Sequence, residues 1–136
     1  MTKFRTLIAM VAVLIGWLPF GFVGHAADLK AAWATDAAAC NKVFVKEGGT
    51  ISFAPDSDFY GSGIIIEKNK IRGKMAVCNI KSRKEDGAVM HLILVCAGDA
   101  LITNIQFSLK IDDDNRITRI FPGTPELNTS YFRCSL

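Results

Sequence analysis

This sequence has little of what enzymes use. It holds two histidines, His25 and His91, no Cys-x-x-Cys pair and no Gly-x-Ser-x-Gly motif. A zinc site needs three or four clustered nitrogen or sulfur ligands. Past residue 26 the chain offers one histidine and four cysteines, Cys40, Cys78, Cys96 and Cys134, too far apart for that pattern. A thioredoxin-like redox site needs a close cysteine pair, and an α/β-hydrolase needs its nucleophile motif. Neither is present. The sequence therefore supports no catalytic residue, no metal site and no cofactor, and the expectation is a protein that is not an enzyme.

An excess of one charge is also lacking. The net charge of +3 includes Lys3 and Arg5 in the first residues. Without them 14 basic and 13 acidic residues remain, a net charge of +1. A general attraction to nucleic acid or to an anionic membrane does not follow from this charge, and nucleic acid is not an expected partner.

The start of the chain has the opposite character. "MTKFR" precedes the apolar run "TLIAMVAVLIGWLPFGFV", and "GHA" follows with small residues at the −3 and −1 positions. This is the pattern of a secretory signal peptide, with cleavage expected after Ala26. The expected organisation is a signal peptide over 1–26 and one exported domain over 27–136. No membrane span is expected to remain after cleavage, and the expected location is the periplasm or the extracellular space. All four cysteines survive cleavage, and an oxidising compartment makes two disulfides the default.

The remaining chain reads as mainly β, with α+β character at the start. "ADLKAAWATDAAACNKVF" favours one or two short helices, with Thr35 or Asp36 as a cap and Trp33 and Cys40 on one helical face. Trp33 is expected to anchor the core. After Lys42 short strands alternate with turns: "EGG", "APDSDFYGSG", Asn69, Glu85-Asp86-Gly87, "DDDN" and "PGTPELNT". "LITNIQFSLKI" has the clearest period of two, with Leu101, Thr103, Ile105, Phe107, Leu109 and Ile111 on one face. The expected architecture is an antiparallel meander sheet or a partial or closed barrel with a short N-terminal helix.

The stretch "CNIKSRKEDGAVMHLILVC" raises the register question. In an antiparallel hairpin, facing residues have position numbers with a constant sum. A turn around Asp86-Gly87 with Glu85 opposite Ala88 makes the sum 173 and leaves Cys96 one position from Cys78. A loop one residue longer makes it 174 and sets the two cysteines face to face. That register narrowly favours Cys78–Cys96 with Cys40–Cys134. The competing scheme pairs Cys40 with Cys78 and Cys96 with Cys134.

Other side chains that suggest chemistry have plainer explanations. His91 sits among apolar neighbours and reads as a hydrogen-bonded core histidine or one facing into a barrel. Asp56 and Asp58 suit turns better than paired catalytic carboxylates. "FYGSG" is followed by β-branched residues rather than the helix a phosphate loop needs. Asp112, Asp113 and Asp114 are consecutive, unlike alternating calcium ligands. "AVMHLILVC" is apolar on both faces, which suggests a central strand covered by the core on one side and by the N-terminal helix or a small ligand on the other.

The most specific surface feature is basic. Residues 68–84 carry seven of the 14 positive charges and no acid. Lys70, Arg72 and Lys74 alternate with Ile71, Gly73 and Met75, which places three charges on one strand face. Lys81, Arg83 and Lys84 add a basic hairpin tip. Together these six residues are the candidate binding surface. The expected partner is an anionic envelope component or another exported protein.

Trp33, Cys40, the inner pair Cys78 and Cys96, and the terminal "YFRC" ending at Cys134 resemble small exported, cysteine-containing β-rich proteins of Gram-negative bacteria. That resemblance implies no activity. Ser62-Gly63 in "YGSG" is similar to the Ser-Gly loop of periplasmic lysozyme inhibitors, which are small exported β-rich proteins. The function this supports is a non-catalytic exported binding module. An inhibitor-like protein or a structural envelope protein is the alternative.

Overall fold

The structure is a computed structural model whose described residues are 27–136. The apolar segment 1–26 and its expected cleavage point lie outside them. The strands are β1 (Ala31–Ala34), β2 (Phe44–Glu47), β3 (Thr50–Phe53), β4 (Gly63–Ile66), β5 (Lys70–Arg72), β6 (Val77–Asp86), β7 (Val89–Ala97), β8 (Ile102–Asp113), β9 (Arg116–Ile120) and β10 (Thr129–Arg133). One short helix, α1 (Cys40–Val43), precedes β2. Eight strands close an antiparallel barrel in the order β1-β10-β9-β8-β7-β6-β5-β4, and β2–β3 form a separate hairpin.

Alternation along the strands builds the barrel interior. Trp33, Leu92, Leu94, Phe107, Leu109 and Ile117 point inward and are buried. Burying each such side chain stabilises by roughly 1.5–3 kcal/mol. β8 follows the predicted period from Ile105 to Ile111, with odd-numbered residues inward, but Leu101, expected on that face, precedes the strand and is exposed. A second core lies outside the wall, where Val43 and Phe44 pack on Ala32, Ala34 and Ile65. β4 is therefore buried on both faces, which explains its unbroken "GIII".

The N-terminal expectation is half corrected. The 3-10 turn Ala37–Ala39 and α1 are helical, and the Asp36 carboxylate caps the turn by accepting from the Ala38 N–H at 2.9 Å. Ala31–Ala34, however, is a strand, so Trp33 and Cys40 do not share a helical face. β1 pairs with β4 on one side and β10 on the other. Those backbone bonds, and the burial of Trp33, outweigh alanine's local preference for helix. Trp33 is the core anchor, and its indole N–H donates to the Leu29 carbonyl at 2.9 Å.

Both disulfides are Cys40–Cys134 and Cys78–Cys96. Cys78 faces Cys96, as the sum of 174 requires, but the route differs from a longer loop. The turn has two residues, Gly87 and Ala88, and starts the hairpin with a sum of 175: Asp86 faces Val89 and Lys84 faces His91. A β-bulge between Ile80 and Ser82 adds one residue, Lys81, and drops the sum to 174. Gly87 has φ 58°, the positive value needed at the first central position of such a turn. On the loop-entropy model the cross-link over 18 positions stabilises by about 3 kcal/mol, and the one over 94 positions by about 4.5 kcal/mol.

Gly63 is where the two cores meet. A Cβ there would lie 2.5 Å from Phe44 Cζ and 2.9 Å from the Trp33 carbonyl oxygen. Gly63→Ala is expected to lower stability by about 1–3 kcal/mol in urea unfolding. Gly98→Ala, whose nearest neighbour would be 3.8 Å away, is expected to change it little.

Candidate interaction face

The pairing registers lay out the outer surface of β5–β8 row by row. At one end Arg72, Val77, Ala97 and Ile102 face one another across four strands. The next row is Lys70, Asn79, Val95 and Asn104. Ser82, Ile93 and Gln106 follow, and then Lys84, His91 and Ser108. Inward residues such as Cys78, Leu94 and Phe107 occupy the alternate positions, so all of these look outward.

The six basic residues do not form one patch. β5 ends at Arg72, and Gly73 donates to the Ala76 carbonyl at 2.9 Å in a turn before β6. Lys74 therefore lies in a turn and does not share the strand face of Lys70 and Arg72. Arg72 is engaged by Glu67 and by the Ile51 carbonyl of β3, to which it donates at 2.7 Å. It bridges the barrel wall to the β2–β3 hairpin, beside a depression of about 300 Å³. Lys74 is engaged by Asp58 and the Pro55 carbonyl.

Lys81, Arg83 and Lys84 are not a hairpin tip either. They lie within β6, and the tip is Gly87-Ala88. Because the bulge reverses the alternation, Arg83 stands opposite Leu92 on the inward side and donates to the Lys68 carbonyl at the barrel mouth. Lys70, Lys81 and Lys84 remain. They are exposed and take part in none of the ion pairs among the described residues.

His91 lies on this outer face and not in the barrel. Its Nδ1 is 2.8 Å from Ser108 Oγ, a partner that only the β7–β8 register reveals. Ser108 is 2% exposed. Its hydroxyl therefore orients the imidazole and is not presented to a substrate. Beside the pair, Ser82, Lys84, Ile93 and Gln106 line a shallow groove of about 450 Å³. Among the described residues no helix covers this surface, which corrects the helical one of the two covers expected for β7; α1 and the hairpin pack on β1 and β4 instead.

The exposed apolar residues on this side also escaped the strand pattern. Met75 is 73% exposed, Leu101 72% and Ile102 78%. Their two turns lie side by side, with the Cβ position of Gly98 3.8 Å from the Met75 carbonyl. One signal was present in the sequence: Ile102 is the apolar residue in the otherwise polar series Asn104, Gln106, Ser108.

The remaining candidates are occupied by structure. The Ser62 amide and carbonyl both bond to the Thr35 hydroxyl at 3.1 Å, and Gly63 lies under Phe44. Asp112 accepts from the Thr118 hydroxyl at 2.6 Å and pairs with Lys110 and Arg116. Desolvation raises its pKa. The Thr118 and Lys110 hydrogen bonds and the Lys110 and Arg116 charges outweigh that and hold the carboxyl below its usual value. Among the described residues no three His, Cys, Asp or Glu side chains cluster to hold a metal, and no helix is long and apolar enough to cross a membrane. Comparison with family models, curated proteins and solved structures gives no match.

Because the folded pKa of Asp112 is depressed, its contribution to stability is full above the unfolded carboxyl value and is lost as pH falls through the folded value. Asp112→Asn is expected to cost about 1 kcal/mol at neutral pH and to flatten the acid limb of a stability profile. Chemical denaturation across pH 2–7 checks both.

Proposed function

We propose that this chain is a non-catalytic exported binding module whose outer β5–β7 face contacts an anionic partner of the cell envelope. The observation that carries this reading is the presence of three exposed lysines, Lys70, Lys81 and Lys84, without acidic partners on one stretch of sheet. Folding uses the neighbouring cations Arg72, Lys74 and Arg83 for internal bonds. These three lysines contribute no such bond, so their charge is free to meet a counter-charge from outside.

Export is supported by the two disulfides, which persist in oxidising compartments. It is supported further by the signal-peptide pattern of the first 26 residues. The periplasm or the extracellular space is the proposed location.

Retention on immobilised dextran sulfate tests the reading. The mature chain is expected to bind at low salt and elute as salt rises. Lys70→Ala/Lys81→Ala/Lys84→Ala is expected to elute at clearly lower salt. Arg72→Ala and Lys74→Ala are expected to lower the melting temperature more than they change retention. Equal retention of the triple-lysine variant and the parent would overturn the proposal.

A further inference from the structure

The three lysines share their face with an unusual amount of exposed apolar surface. Val77, Ala97 and Ile102 stand directly opposite one another in the outward row at one end of β6–β8. Met75 and Leu101 extend that row through the adjoining turns 73–76 and 98–101, and Ile93 lies further along the same outward side. Met75, Leu101 and Ile102 are each more than 70% exposed. A contiguous apolar patch of this kind on a small protein marks a contact surface.

An anionic polymer explains only one half of this face. Lysines would suffice for a soluble polyanion, which offers nothing to aliphatic tips. Met, Leu and Ile beside unpaired lysines match a surface with an acyl interior and a negatively charged rim. We infer that the β5–β8 face docks side-on against an anionic lipid bilayer. Met75, Leu101 and Ile102 enter the headgroup–acyl boundary, and Lys70, Lys81 and Lys84 meet the headgroup phosphates. Lysine's long aliphatic stem suits that position, because it follows apolar surface while its ammonium stays at the charged level.

Besides Glu67 and Asp58, which pair with Arg72 and Lys74, two acids that take part in none of the ion pairs among the described residues lie beside this face. Asp86 closes the strand at the far end, next to Lys84, and Asp99 sits in the turn between Ala97 and Leu101. Asp99 opposes an anionic surface at the point of entry, so its removal has a defined sign. The inference rests on the reading of the lysine face as an anion-contacting surface and narrows its partner to a membrane.

The test is co-sedimentation of the mature protein with vesicles of equal parts phosphatidylglycerol and phosphatidylcholine, with pure phosphatidylcholine vesicles as control. Binding is expected to the mixed vesicles and to be much weaker to the control. Each lysine near such a surface is worth roughly fivefold in affinity, so Lys70→Ala/Lys81→Ala should lower binding more than tenfold. Leu101→Ser/Ile102→Ser should lower it roughly tenfold or more and leave dextran sulfate retention unchanged. Asp99→Asn should strengthen it by up to about fivefold. All of these positions are exposed, and unfolding curves confirm that the variants fold. Retention on dextran sulfate without vesicle binding would overturn the membrane inference and leave the anionic-partner reading intact. Vesicle binding indifferent to Leu101→Ser/Ile102→Ser would overturn the docking face. Failure on both matrices would overturn both.

Discussion

Closure of the barrel depends on a four-residue strand. β1 is hydrogen-bonded to β4 and to β10, so Ala31–Ala34 joins the two edges of what is otherwise an open seven-stranded meander. Its side chains suit that position. Trp33 fills the interior, with the Arg133 guanidinium 4.4 Å from its ring centroid. Ala32 and Ala34 present only methyl groups outward, and Val43 and Phe44 occupy the space above them. A larger residue at either alanine would meet that second core, as a Cβ at Gly63 does. The Cys40–Cys134 bond then ties the helical segment after β1 to the chain end after β10. The hairpin, the outer core and the terminal disulfide all rest on this seam.

Most strands were legible because their signal is local. β8 alternates so regularly that its inward residues Ile105, Phe107, Leu109 and Ile111 could be named, though Leu101, named with them, stands exposed in the preceding turn, and the glycine turns at Gly48-Gly49 and Gly87 marked two hairpins. β1 was not legible as a strand. "AAWA" has no alternation of apolar and polar residues, and alanine favours helix when nothing else decides. What decides is pairing with segments about 30 and 100 positions away, which no local pattern contains. The bulge at Lys81 was hidden for a related reason. A single inserted residue leaves the composition of a strand unchanged but exchanges its faces, and it turned Arg83 from the outer surface to the barrel mouth.

The candidate site was legible in composition and illegible in detail. The basic run over 68–84 was plain, but the fate of each charge depends on acids and carbonyls brought from elsewhere. Glu67 and Ile51 occupy Arg72, and Asp58 and Pro55 occupy Lys74. Half the patch is thus spent on the fold. The apolar part of the face was missed because Met75 was read within the alternation of the basic strand and Leu101 as an inward-facing strand residue. Only the close approach of turns 73–76 and 98–101 makes them neighbours.

The seam also sets an order of assembly. Strands β4 to β10 each pair with the strand next in sequence, so the meander can grow by short steps as the chain becomes available. Cys78 and Cys96 can meet early, across one hairpin. Trp33 and Arg133, 100 positions apart, meet last, and Cys40 must wait for a partner 94 positions further along the chain. Contacts between such distant positions carry a large loop-closure cost and slow folding. Until the last strand arrives, β1 and β4 leave one hydrogen-bonding edge unpaired, and Trp33 lacks the wall that buries it. A chain truncated before β10 therefore loses more than its final strand: it keeps an open sheet with an exposed edge and an exposed indole, the features that recruit other chains.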